Sequence, residues 1–236
     1  AWLALSDVER TAVERVFANV GKALAAYERK LLPSGSPFDE YVALVRRGHA
    51  STTYPEAARR GLALFFGRAN CRSCHVGPTF SDQEFHNIGV PARDGSSARD
   101  SARHGGIAQL LRDPFNARGA YSDARDGESA RELAQLEATP EVWAAWRTPS
   151  LRNVARTAPY MHQGQFATLR DVLEYYSTLK GSVPVGHHGE KVLTPLNLTE
   201  SEIADLVAFL ETLSDPELPA ELLRPPARPA RAEPAR

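Results

Sequence analysis

Cys71-Arg72-Ser73-Cys74-His75 constrains this chain more than any other stretch of it. Two thiols three positions apart, followed at once by an imidazole, form the C-x-x-C-H signature of covalent haem attachment. The spacing lets each sulfur add to one vinyl group of the same porphyrin, and the next residue then sets an imidazole beneath the iron. Rival chemistries ask for more than the sequence offers. A structural zinc site needs a second pair of ligands, and no second C-x-x-C exists. A thioredoxin-like redox pair sits in a βαβ pattern, which is absent. With two cysteines in all, no disulfide framework is available.

A haem is a large apolar disc, so the chain must fold around it. Pro78, Phe80, Phe85, Ile88 and Val90 follow the motif and supply apolar material, for the disc or for an ordinary core. The rest of the chain predicts helices. Ser6 and Glu9 form a capping box, and Val13, Val16, Phe17, Val20, Leu24 and Tyr27 recur at helical spacing up to about Leu32. A second helix is expected from about Pro55 to Phe66, with Gly67 as a left-handed stop. A third runs from about Thr168 to Leu179, with Leu169, Val172, Leu173, Tyr176 and Leu179 on one face. Thr199 and Glu202 open a fourth, reaching about Leu213. Residues 77–140 read as loops with short helical pieces, and no strand pattern of useful length appears. The expectation is a mainly α fold with long loops.

The charge balance limits the partners. A net charge of −1 gives no basic face for nucleic acid. No run of about 18 apolar residues exists to span a bilayer. The chain starts at Ala1 with no signal peptide, as expected of a processed chain or a fragment.

Ordered motifs then bring a resemblance into view. They are Gly21 to Arg29, Ser36-Pro37-Phe38-Asp39, Leu64-Phe65-Phe66-Gly67 before the cysteines, Phe85-His86-Asn87-Ile88-Gly89-Val90, Asp113-Pro114-Phe115-Asn116, Arg147 to Val154, and Thr157-Ala158-Pro159-Tyr160-Met161-His162. From about Val20 to Leu213 the chain resembles the C-terminal portion of the di-haem cytochrome c peroxidase and MauG family. The resemblance implies a cytochrome c-like haem domain over residues 41–215. Residues 1–40 would be a long helix linking it to an N-terminal haem domain that this chain lacks, and residues 216–236 a Pro/Ala/Arg-rich tail.

The functional expectations follow from that resemblance. The chain would be the electron-transfer portion of a peroxidase reducing hydrogen peroxide, with one haem c here and a second in the N-terminal domain. A small redox protein would donate electrons, and the location would be periplasmic or otherwise extracytoplasmic. The peroxide-handling groups of relatives lie in the other domain, so no catalytic residue is assigned here. Two alternatives stay open: a stand-alone mono-haem electron carrier, since there is one C-x-x-C-H, and a MauG-like oxidase of a protein substrate.

The sixth iron ligand has three readings. Without gaps from Thr157, the family's ligand position falls on Tyr176; peroxidases of the family carry Met there and MauG-like members Tyr. Met161, the only Met, is the alternative on thioether precedent. Tyr176 as a core aromatic is the third. Arg147 and Arg152 are candidates for pairing with haem propionates, as are His86 and His162 for propionates or carbonyls. His49, His104, His187 and His188 are expected to face solvent, and Trp143 and Trp146 to be packing residues. Relatives also bind calcium between their domains, partly through carbonyls matching Thr157 and Pro159, with another protein ligand in the missing domain. MauG proper has Trp two residues before its first haem cysteine; Ala69 stands here.

Overall fold

A computed structural model describes residues 2–32, 35–94, 100–183, 193–216 and 220–225. His187 and His188 lie outside the described residues. By contacts the chain forms two units, residues 1–34 with 215–236 and residues 35–214.

The first unit holds α1 (Asp7–Glu28). Ser6 caps it with the expected box: its Oγ accepts from the Glu9 N–H, and the Glu9 carboxylate takes the Ser6 N–H at 2.8 Å. The helix stops four residues short of the expected Leu32. No residue of α1 is buried, so its apolar stripe stays exposed. Tyr27 donates its hydroxyl to the Leu222 carbonyl at 2.9 Å.

The second unit is built on α3 (Glu56–Phe66) crossing α7 (Glu200–Glu211). Gly61 permits the approach: a Cβ there would lie 1.9 Å from the Asp205 carbonyl oxygen and 2.8 Å from the Phe209 Cβ. Arg60 clamps the crossing with a two-pronged bond to Asp205, at 2.8 and 2.7 Å. Beneath lies an aromatic cluster in which Phe65, Phe80 and Phe209 are each no more than 3% exposed and Phe38 packs edge-on against them. Aromatic pairs in such edge-to-face arrangements add about 0.5–1.5 kcal/mol each beyond the area they bury.

Phe38 belongs to α2 (Pro37–Arg46), a helix absent from the four expected above. Ser36 and Asp39 cap it with another box, and Pro37 fills its first turn. The boundary expected at residue 40 therefore falls inside a helix. Gly67 ends α3 otherwise than expected. Its φ is −95°, not left-handed, and glycine is required because a Cβ would meet the Ala63 carbonyl at 2.6 Å.

Between the cysteine motif and α6 (Leu169–Thr178) the chain is irregular, with α4 (Arg103–Arg112), α5 (Glu128–Ala134) and short 3-10 turns. Two two-residue strands, β1 (Phe85–His86) and β2 (Trp146–Arg147), pair antiparallel, Phe85 with Arg147 and His86 with Trp146. They tie the ends of the loop region together. The Thr168 hydroxyl caps α6. Of the apolar face expected on it, Leu169 and Leu173 are buried and Val172, Tyr176 and Leu179 half-buried; Tyr175 and Ser177 are buried as well.

Candidate haem site

Cys71 opens a 3-10 turn (Cys71–Ser73) shortly after Gly67, the residue that ends α3. Asn70, just before it, takes a left-handed φ of 50°, a conformation Asn adopts more readily than most residues. Both cysteines are free thiols and half-buried. Burial pushes the Cys71 thiol up to about 12, which keeps the sulfur protonated.

His75 is oriented by the main chain. Its Nδ1 lies 2.8 Å from the Phe80 carbonyl oxygen. A carbonyl can only accept, so Nδ1 carries the hydrogen and Nε2 keeps its lone pair for a metal. Burial lowers the imidazole pKa, against the Phe80 bond and the nearby Asp82 carboxylate, which raise it. The ring is thus held neutral. Phe80 presents that carbonyl from a left-handed backbone, φ 52°, while its ring is locked in the aromatic core. A bulky residue there is strained by roughly 1–3 kcal/mol, sustained by the packing around it.

Tyr176 lies on α6 and is half-buried. Burial drives its phenol far above the ordinary value, and Tyr175 and the thiols of Cys71 and Cys74 push it the same way. Cys71, Cys74, His75 and Tyr176 are each half-buried. Two thiols, a neutral imidazole and a phenol are a donor set whose chemistry fits a covalently held haem, with a nitrogen and an oxygen available as ligands for its iron.

Among the described residues, one group of metal-ligating types clusters closely, Cys74, Asp82 and His86, with donor atoms within 4.8 Å of one another. It shares its sulfur with the haem motif, and a thioether there removes the thiolate a zinc ion would need. His86 pairs with Asp82 at 2.9 Å.

The comparisons with known proteins bear on this geometry. No family model matches the chain. Cytochrome-c peroxidase IdrP1 of Denitromonas iodatirespirans is 37% identical over 210 residues, covering 84% of this chain and 52% of that protein. Methylamine utilization protein MauG of Methylorubrum extorquens is 34% identical over 204 residues, covering 83% and 44%. A variant of the diheme peroxidase BthA from Burkholderia thailandensis matches with a TM-score of 0.51 at 28% identity, covering 77% and 46%. The chain belongs to the MauG and di-haem cytochrome c peroxidase family. It spans about half the length of the curated relatives it matches. Membership implies haem c and a mainly helical fold of the family's type.

Other residues singled out from the family's motifs fare differently. Arg152 is largely committed within the protein. Four of its five N–H donors are taken: Nε by the Pro78 carbonyl at 2.7 Å, Nη1 by Ser36 Oγ and Asp39 Oδ2, and Nη2 by Asp39 Oδ1 at 2.9 Å. It fastens the loop after the haem motif to α2. Arg147 is exposed on β2 and bonds the Gln83 amide. His162 stacks on Trp146 with centroids 4.2 Å apart and lies 3.1 Å from Gln165 Nε2. His104, expected in solvent, is half-buried against Trp143, and His49 is exposed. Met161 occupies a tight turn with a left-handed φ of 68°. Thr157 and Pro159 are exposed.

Two contributors escaped the sequence reading. Phe80's carbonyl is invisible because its role is carried by backbone shape. Tyr175, beside the expected ligand, is buried and donates its hydroxyl to the Ile88 carbonyl at 2.6 Å. Its signal was the paired tyrosines, whose two rings leave the helix on adjacent faces.

Proposed function

We propose that the chain is the electron-transfer portion of a MauG-like di-haem cytochrome c peroxidase, carrying one haem c on Cys71, Cys74 and His75 with Tyr176 as sixth ligand. The observation that carries this is the imidazole of the C-x-x-C-H motif, whose Nδ1 is bonded to the Phe80 carbonyl so that Nε2 is left available; the half-buried Tyr176 phenol, on which both thiols act electrostatically, supports the ligand choice. When bound, the haem supplies a one-electron redox centre. Around it, the chain's own residues orient and exclude. Phe80 fixes the imidazole tautomer, Tyr175 anchors α6 to Ile88, and the aromatic cluster keeps water from the proximal side. An anionic oxygen ligand favours ferric and higher iron states, so Tyr176 would lower the potential relative to a Met ligand.

Hydrogen peroxide would be reduced at a second haem in an N-terminal domain of the same protein, with a small redox protein as electron donor. The names of the relatives support the peroxide chemistry. Thioether attachment takes place outside the cytoplasm, which makes the location periplasmic or equivalent. No helix among the described residues is long and apolar enough to cross a membrane. Among the described residues neither the Thr157 nor the Pro159 carbonyl accepts a hydrogen bond, and these two oxygens would form part of a calcium site completed by the other domain.

Replacing Tyr176 by Phe in the haem-loaded protein and recording the ferric spectrum is the direct test. A changed spectrum, with loss of the oxygen-ligand signature, is expected. An unchanged one returns the ligand role to Met161. For the activity, peroxide-dependent oxidation of a small reduced cytochrome by the complete gene product is expected, and its absence would rule the peroxidase out.

A further inference from the structure

We infer that the cavity between the Val90–Arg93 segment and the end of α6 receives the propionate edge of the haem, with Arg93 and Lys180 as its cations. The inference rests on the haem reading above and names residues that neither the motif nor the comparisons assign. The cavity has a volume of about 230 Å3. Val90, Phe166 and Tyr175 make its apolar floor, Gln165 adds an amide, and Arg93 and Lys180 stand at its rim.

Its walls come from the two elements that flank the sixth ligand. Tyr175 is Tyr176's neighbour on α6, with ring centroids 5.5 Å apart. The Tyr175 hydroxyl reaches the Ile88 carbonyl, and the Val183 N–H donates to the Gly89 carbonyl at 2.9 Å. These bonds lace the end of α6 to the start of the 88–93 segment, with Gly89 fitted so closely that a Cβ would lie 2.3 Å from Ser182 Oγ. The rim is equally fixed. The Arg93 N–H donates to Gln163 Oε1 at 2.9 Å, and Gln165 Nε2 to the Pro91 carbonyl at 3.1 Å.

Haem chemistry supplies the direction. A porphyrin carries its two carboxylates on the edge away from the vinyl groups that become thioethers. With the sulfurs at Cys71 and Cys74, the carboxylates would lie away from those residues, and this cavity is lined by Tyr175, the neighbour of the proposed ligand. A carboxylate drawn out of water there needs charged donors. Arg152 has one N–H donor left, its charge being paired with Asp39. Arg93 and Lys180 can serve: among the described residues neither side chain makes an ion pair or a hydrogen bond.

The test uses the full-length, haem-loaded protein with Arg93→Gln, Lys180→Gln and the double variant, and Arg112→Gln on α4 as a control for loss of an exposed cation. Midpoint potentials of this haem and resonance Raman propionate bands are recorded, with covalent haem content and circular dichroism establishing loading and fold. Removing a cation beside the haem disfavours the added electron. At a fixed poise the oxidised-to-reduced ratio should rise about threefold in each single variant, and further in the double one. The propionate bands should move with it. A loaded, folded double variant whose potential and bands match those of Arg112→Gln overturns the inference. Wild-type protein without thioether-bound haem overturns the reading beneath it instead.

Discussion

The helix pair α3–α7 and the loop region that follows the cysteines solve different problems. The pair is regular, its shape set by local signals and by burial: a capping box at Thr199, a glycine at the crossing, and aromatic rings filling the interior. The loop region has little regular structure. It is held by side chains that bond main-chain atoms, such as Arg152 on Pro78, Ser81 on Thr148, Ser150 on Thr79 and Tyr175 on Ile88. The difference suggests a division of labour in which the pair supplies the stability and the loops shape the surroundings of the cofactor.

Substitutions can break or sharpen that contrast. Phe209→Ala empties the centre of the pair and should lower unfolding free energy by about 4 kcal/mol in a denaturant titration, leaving the haem spectrum of surviving folded protein unchanged. Gly61→Ala forces apart helices that meet at 1.9 Å from the added carbon, and a loss of about 3 kcal/mol is expected by the same measurement. An effect below about 1 kcal/mol for either would mean that the pair is not the stabilising half.

Asp39→Asn cuts the tie between α2 and the loops, with an expected loss of about 2 kcal/mol at neutral pH. Burial works to raise the Asp39 carboxyl, but Arg152 and Ser36 outweigh it and hold the pKa below the ordinary value. The stabilisation is therefore complete above the ordinary aspartate range and is lost as pH falls through the lowered value. The gap between wild type and variant should close on acidification below about pH 4. A gap that widens there would contradict the ion pair. The smallest change is expected from Tyr175→Phe, about 1 kcal/mol in stability. If the loops serve the cofactor, the same variant should still shift the haem potential measurably.

Legibility in the sequence follows the same divide. The pair could be read because its rules are local: capping residues, a 3.6-residue apolar repeat and a short sulfur spacing. Thr199, Glu202 and the cysteine motif needed no knowledge of distant contacts. α2 was obscured because Pro33 to Pro37 looks like a stop, although Ser36 and Asp39 were already a cap. The Arg152–Asp39 bond joins residues 113 positions apart, and no local pattern announces such a pairing. Left-handed turns at Phe80 and Met161 are equally silent, since neither residue type favours them.

Phe80's turn carries one more implication. The proximal imidazole is steadied by a peptide oxygen, which carries no formal charge and takes up no proton in the working range of a protein. That bond to Nδ1 is consequently indifferent to acidity, although the Asp82 carboxylate still acts on the ring from nearby, and no exchange of one side chain for another can delete the acceptor itself. Evolution or engineering can remove this bond only by bending the loop between Val76 and Ser81.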